Sequence, residues 1–182
     1  MLKTNKSMRN PYTALAAGLA LSGLLVAGSA GAVTTATDNL TVTVLVEDNC
    51  TIVTSVLDFG SYDPAGVNFA ASLAGTGGVS VTCTTGATAT ITLGQGANAD
   101  TVGGSTDAIP LRRMKTAVGN NFLAYTLHTS LGGAVWGNTA LTGVGATANG
   151  APDDHTVFGT VAGAQNVPKG TYLDTVLATV TF

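Results

Sequence analysis

The chain has 182 residues, and its 24 Gly and 5 Pro point to a structure rich in turns. Only 9% of residues are charged, with 10 acids against 7 bases, so no basic surface exists for nucleic acid or anionic lipid. A hydrophobic content of 45% argues for a packed core, and two His and two Cys are too few for a zinc ribbon or a disulfide-dense miniprotein.

The first segment reads as an address. Lys3, Lys6 and Arg9 precede an apolar stretch over residues 14–27, and small residues follow over 28–32. Ala30-Gly31-Ala32 fits the small-x-small cleavage pattern, which predicts a signal peptide over residues 1–32 and a mature start at Val33. A transmembrane anchor is the alternative, but the apolar part is about 14 residues long, short of the roughly 20 that a bilayer span needs. The remaining residues amount to one domain and carry 4 bases against the same 10 acids. Export also gives the cysteines a meaning. Under oxidising conditions Cys50 and Cys83 most simply form one disulfide, with free or reactive thiols as the alternative.

From there the dominant period is two. Leu40, Val42, Val44 and Val46 alternate with Thr41, Thr43, Leu45 and Glu47, behind a polar lead over residues 33–39. A strand is expected over 51–56. Val79, Val81 and Cys83 alternate with Ser80, Thr82 and Thr84, and Ala89, Ile91 and Leu93 with Thr88, Thr90 and Thr92. Such rows bury one face and wet the other, and threonine on the wet face favours extended backbone. Further strands are expected over 111–115, 122–129, 157–161 and 172–182. Glycine-rich turns separate them at 75–78, 94–104, 119–121, 132–133 and 143–152, with a further turn at 168–170. The fold class is therefore all-β, a sandwich of immunoglobulin-like size.

The two ends of the chain carry the functional signal. Val176, Ala178, Val180 and Phe182 form one alternating row that runs to the final residue. A sandwich that stops on a core strand lacks a closing neighbour and leaves an open edge beside an apolar floor. The Leu40–Val46 row is the kind of segment such an edge accepts by strand addition. The alternative is that this row pairs within its own sheet.

Other clusters favour bland readings. Asp153-Asp154-His155 reads as a solvated turn, since a metal site needs ligands from elsewhere. Ser61, His128 and Asp63 assemble a triad only on paper, without a GxSxG elbow. The 94–104 run lacks the lysine and the βαβ context of a phosphate loop and reads as a flexible loop. Arg112, Arg113 and Lys115 read as a wet strand edge, where charge deters unwanted pairing. Trp136 reads as a core or loop anchor, and Phe59 and Tyr62 as packing residues. No catalytic residue, metal ligand or cofactor is expected.

Several runs occur in a telling order: Asn49-Cys50-Thr51-Ile52, Leu57-Asp58-Phe59-Gly60-Ser61-Tyr62-Asp63-Pro64, Val79-Ser80-Val81-Thr82-Cys83, Leu123-Ala124-Tyr125-Thr126-Leu127, Val135-Trp136-Gly137, Thr142-Gly143-Val144-Gly145, and Val167-Pro168-Lys169-Gly170-Thr171-Tyr172-Leu173-Asp174-Thr175-Val176. Together, over residues 38–182, they resemble the spore-coat-protein-U-like domain family, the pilin domain of archaic chaperone–usher pili. The resemblance implies an incomplete immunoglobulin-like sandwich, completed by a donor strand from a neighbouring subunit. It implies residues 33–49 as the donor segment, with Leu40, Val42, Val44 and Val46 entering the neighbour's groove, and residues 50–182 as the pilin domain. Val176, Ala178, Val180 and Phe182 would form the acceptor edge, and Cys50–Cys83 would be the family disulfide. Implied partners are other copies or related pilins, a periplasmic chaperone and an outer-membrane usher, with export through the periplasm to a surface fibre that serves adhesion or biofilm formation. A stand-alone secreted binding module and a spore or cell coat protein are the rival expectations.

Overall fold

A computed structural model describes residues 31–182, so nearly all of the expected signal segment lies outside the described part. The chain divides into one unit up to Thr43 and another from Val44 on, each taken by itself. Residues 31–49 form no strand or helix, and every one of them is exposed. Beyond them come β1 (Cys50–Ser55), β2 (Leu73–Cys83), β3 (Ala89–Leu93), β4 (Arg112–Thr116), β5 (Phe122–His128), β6 (Val144–Ala146), β7 (Asp153–Val161), β8 (Tyr172–Leu173) and β9 (Ala178–Thr181). One turn of 3₁₀ helix, Val67–Phe69, interrupts the first long connection.

The strands form two sheets, and every pairing is antiparallel. One is six-stranded, in the order β1-β2-β7-β5-β4-β8, and the other three-stranded, β6-β3-β9. Alternation explains the core between them. Val79, Val81 and Cys83 on β2, Ile91 and Leu93 on β3, Leu123 and Leu127 on β5, and Val157 and Val161 on β7 are all buried in one cluster. Cys50 and Cys83 are opposite each other across the β1–β2 ladder and are joined by a disulfide, S–S 2.04 Å. Closing that loop supplies about 3–4 kcal/mol in the chain-entropy model.

Several expectations need correction. Residues 75–78 are not a turn but the middle of β2, and the glycine run 143–152 contains the short strand β6. The expected strand over 172–182 is two strands: β8 ends the six-stranded sheet, and the chain then crosses to the other sheet as β9. Asp153-Asp154-His155 is not a turn but the beginning of β7. Asp153 accepts the Thr147 N–H at 2.6 Å and lies 3.0 Å from His155 Nε2. The Thr147 bond above all holds the Asp153 carboxyl below the usual carboxylate range.

The wet strand edge is overturned for Arg112, which is 1% exposed. Residues 112, 114 and 116 share the inner face of β4, so this guanidinium enters the core. Its Nε–H donates to Gly94 O at 2.9 Å, and Nη2 donates to Leu93 O and Trp136 O at 2.8 Å each. It thereby ties the six-stranded sheet to the end of β3. Burial pushes it down to about 10, partly offset by Tyr125 and Asp174, so it stays charged at neutral pH. Arg113 is on the other face, 3.2 Å from Asp100 and over the Phe122 ring. Trp136 is the core anchor expected, with its indole N–H on Ile91 O at 3.0 Å.

Arg112 should be irreplaceable by lysine, whose compact ammonium does not reproduce a fork aimed at three carbonyls. In urea unfolding, Arg112→Lys is expected to cost at least about 2 kcal/mol, because buried acceptors lose their donors. Arg113→Lys should cost under about 1 kcal/mol. Equal, small losses would contradict the carbonyl-clamp role.

Candidate functional site: an apolar groove between two rims

β1 ends at Ser55, and the chain leaves the ladder without joining another. Among the described residues, the backbone of 57–61 makes no backbone–backbone hydrogen bond; Gly60 N–H turns to the Asp58 carboxylate at 2.8 Å. This stretch is held at its far end. The Tyr62 hydroxyl donates to Ala162 O at 3.1 Å and accepts the Gln165 N–H at 3.0 Å. Asp63 N–H donates to Oδ1 of the buried Asn68 at 2.8 Å.

A second backbone edge lies opposite, over residues 167–178. Its outer side is braced by the segment 94–98. Gly94 N–H donates to Leu177 O at 2.8 Å, Ala97 N–H to Thr175 O at 3.0 Å, and Asn98 Nδ2 to Leu173 O at 3.3 Å. The segment is itself locked: Gln95 accepts from Ser105 Oγ at 2.6 Å and donates to Asp107 at 3.0 Å. The expected flexible loop at 94–104 is thus an ordered buttress. Among the described residues, Val176 has no backbone hydrogen bond.

Between these rims lies a groove of about 1130 Å³. Its floor is apolar, with Met114, Leu123, Leu127, Val157 and Val161 contributed by three strands. One polar link crosses it. The Asp174 carboxylate accepts the Tyr125 hydroxyl at 2.7 Å and the Asn98 backbone N–H and Nδ2 at 3.1 and 3.0 Å. Burial first, then the hydrogen bond to Asp174 and its charge, push the Tyr125 phenol well above its ordinary value. A floor of this kind favours the burial of apolar groups. Among the described residues, no group of three or more His, Cys, Asp or Glu is placed to hold a metal ion. The paper triad is not assembled: His128 is bonded to Thr126 Oγ1 and Gly133 O, and the Asp63 carboxylate to the N–H groups of Ala65 and Gly66.

Of the residues expected at the acceptor edge, Val176 and Ala178 line the groove. Val180 faces the core opposite Ile91, and Phe182 is half-exposed beside the outer-face threonines Thr179 and Thr181. Leu40, Val42, Val44 and Val46 are 72–89% exposed and belong to no strand. Sequence reasoning missed the first rim, although Leu57 and Phe59 carry the period-two signal, and it missed the Tyr125–Asp174 link, which no local pattern announces.

Spectrophotometric titration should show one tyrosine resisting ionisation well past pH 10 in the folded chain, a step that vanishes in Tyr125→Phe. Asp174→Asn should move that step toward neutral pH, because the anionic acceptor is gone. An unchanged step in Asp174→Asn would contradict the link.

Residues 36–179 match the Spore Coat Protein U domain. The chain is 47% identical over 177 residues to Protein U of Myxococcus xanthus, covering 93% of this chain and 97% of that protein. It is also similar in fold to a chain in the crystal structure of the CsuC-CsuE chaperone-tip adhesion subunit pre-assembly complex from archaic chaperone-usher Csu pili of Acinetobacter baumannii. There the TM-score is 0.52 at 20% identity, over 75% of this chain and 40% of that chain.

Proposed function

The chain belongs to the Spore Coat Protein U domain family, and from that premise we propose that it is a structural subunit of a surface polymer assembled by strand donation. Residues 33–49 are the donor segment, 50–182 the acceptor domain, and the groove between the two rims takes the donor of a second copy. One observation carries this reading. An apolar groove bordered by unpaired backbone occurs in the same chain as an exposed alternating segment, Leu40 to Val46, that belongs to no strand.

The energetics favour such a union. Each aliphatic side chain buried is worth roughly 1.5–3 kcal/mol before ordering costs. The backbone bonds gained along the rims fix register and remove two open edges. Groove and donor are different surfaces of one molecule, so the contact is head-to-tail and builds an open filament unless its rotation closes a ring.

The setting is that of chaperone–usher fibres. A signal over residues 1–32 directs export, a periplasmic chaperone occupies the groove until assembly, and an outer-membrane usher passes the subunit to the cell surface, where the fibre serves attachment. The similarity to the fold of a chaperone-bound pilus subunit supports this setting. A coat around a spore or cell is the second reading, favoured by the near full-length likeness to Protein U. Both use the same donor and groove, and neither calls for catalysis. Among the described residues, no helix is long and apolar enough to cross a membrane.

Electrophoresis of native surface material should give a ladder before boiling and a monomer after it. Val44→Lys should abolish the ladder by placing a charge in the apolar groove, whereas Thr43→Lys, on the opposite face of the donor, should leave it. Monomer alone in both lanes, or equal effects of the two substitutions, would overturn strand donation.

A further inference from the structure

The inner face of the six-stranded sheet carries three glycines where side chains would ordinarily fill the core: Gly75 and Gly77 on β2, and Gly159 on β7. Gly75 and Gly159 are directly opposite each other. Glycine inside a strand weakens it and often marks a close approach of another part of the chain. None of the three has a positive φ, so backbone conformation does not require them. Space does. A Cβ at Gly159 would stand 2.7 Å from Phe59 Cζ and 2.9 Å from Leu57 Cδ1. At Gly75 it would stand 3.0 Å from Phe59 Cδ1 and 3.0 Å from the Asp58 carbonyl oxygen. At Gly77 it would meet Leu57 Cβ at 2.8 Å and the Leu57 Cα and N at 3.2 Å.

The three glycines therefore form a trench that receives Leu57 and Phe59 and lets the backbone of the first rim rest on the sheet. That rim has little else to hold it between Ser55 and Tyr62, since residues 57–61 lack backbone–backbone bonds. From the trench the Phe59 ring meets Tyr125 edge-on, with centroids 6.0 Å apart, and Tyr125 holds Asp174 of the opposite rim. The distance between the two rims is thus set through one continuous set of contacts.

We infer that Gly75, Gly77 and Gly159 are positioning residues of the groove: by seating Leu57 and Phe59 they fix the backbone edge against which an incoming strand pairs. The inference rests on the strand-acceptor reading above. It assigns the glycines a role in strand capture that is exerted through Phe59.

The test uses the full mature chain carrying Val44→Lys, so that its own donor does not compete. The probe is a labelled peptide of residues 36–49 with the native sequence. Trp136 emission and an intact Cys50–Cys83 bond report folding. Gly159→Ala should weaken peptide binding at least about tenfold, since a Cβ there displaces Phe59 and Leu57 and with them the edge that the peptide pairs with. Gly145→Ala, where an added Cβ meets nothing within 4 Å, should leave binding unchanged. Shortening the ring in Gly159→Ala/Phe59→Leu should restore affinity to within about threefold, the coupling expected of residues in contact. Equal binding by Gly159→Ala and Gly145→Ala, or no recovery in the double variant, would overturn the inference. If Gly159→Ala does not fold, Phe59→Ala empties the trench instead; it should lose at least about tenfold, and unchanged affinity would overturn the inference. Absence of binding by the parent chain would defeat strand acceptance itself, and this role with it.

Discussion

Unpaired peptide groups bordering an apolar floor are the constraint on which the rest of this structure depends. Each is unfavourable on its own: an open backbone edge invites pairing, and exposed hydrocarbon invites burial. Here they coincide, and in the proposed assembly one extended segment satisfies both at once. There its backbone would bond to the rims while every second side chain drops onto the floor residues Met114, Leu123, Leu127, Val157 and Val161. A strand with period-two hydrophobicity is the natural complement of such a place, and the row from Leu40 to Val46 has that period.

Much of the remaining structure keeps the place open and in shape. The second rim is bonded to β4 through residues 172–173 and from outside by residues 94–98, and among the described residues Val176 beside the groove is left without a backbone hydrogen bond. Arg112 clamps the carbonyls of Leu93, Gly94 and Trp136, which fixes the point where that buttress leaves β3. Tyr62 anchors the end of the first rim to Ala162 and Gln165. The disulfide secures β1, an edge strand of the larger sheet, to β2 at the point where residues 31–49 join the fold.

The sandwich was legible where one face of a strand is buried and β-branched residues mark the alternation, as in residues 79–83 and 89–93. It was illegible where a residue type answers to a distant partner. Gly75, Gly77 and Gly78 look like a turn because glycine usually signals one, yet they lie inside β2, and two of them make room for Leu57. Arg112 and Arg113 look alike in sequence, but adjacent positions on a strand face opposite ways, and only the inner one finds three carbonyls. The row from Tyr172 to Phe182 keeps its period while changing sheets, because alternation reports which face is buried and not which sheet owns the strand. The row from Leu40 to Val46 is similar: its period announces a strand, yet the residues belong to none.

Amide hydrogen exchange of assembled material, compared with the unassembled chain, tests the central claim most directly. In the proposed assembly, residues 40–46 and the rim stretch 57–61 belong to the same ladder once a neighbour's segment is seated. Slow exchange should therefore appear in both regions together on assembly and be lost from both on boiling. Rapid exchange at residues 40–46 in intact polymer, with the rim unchanged, would contradict the account.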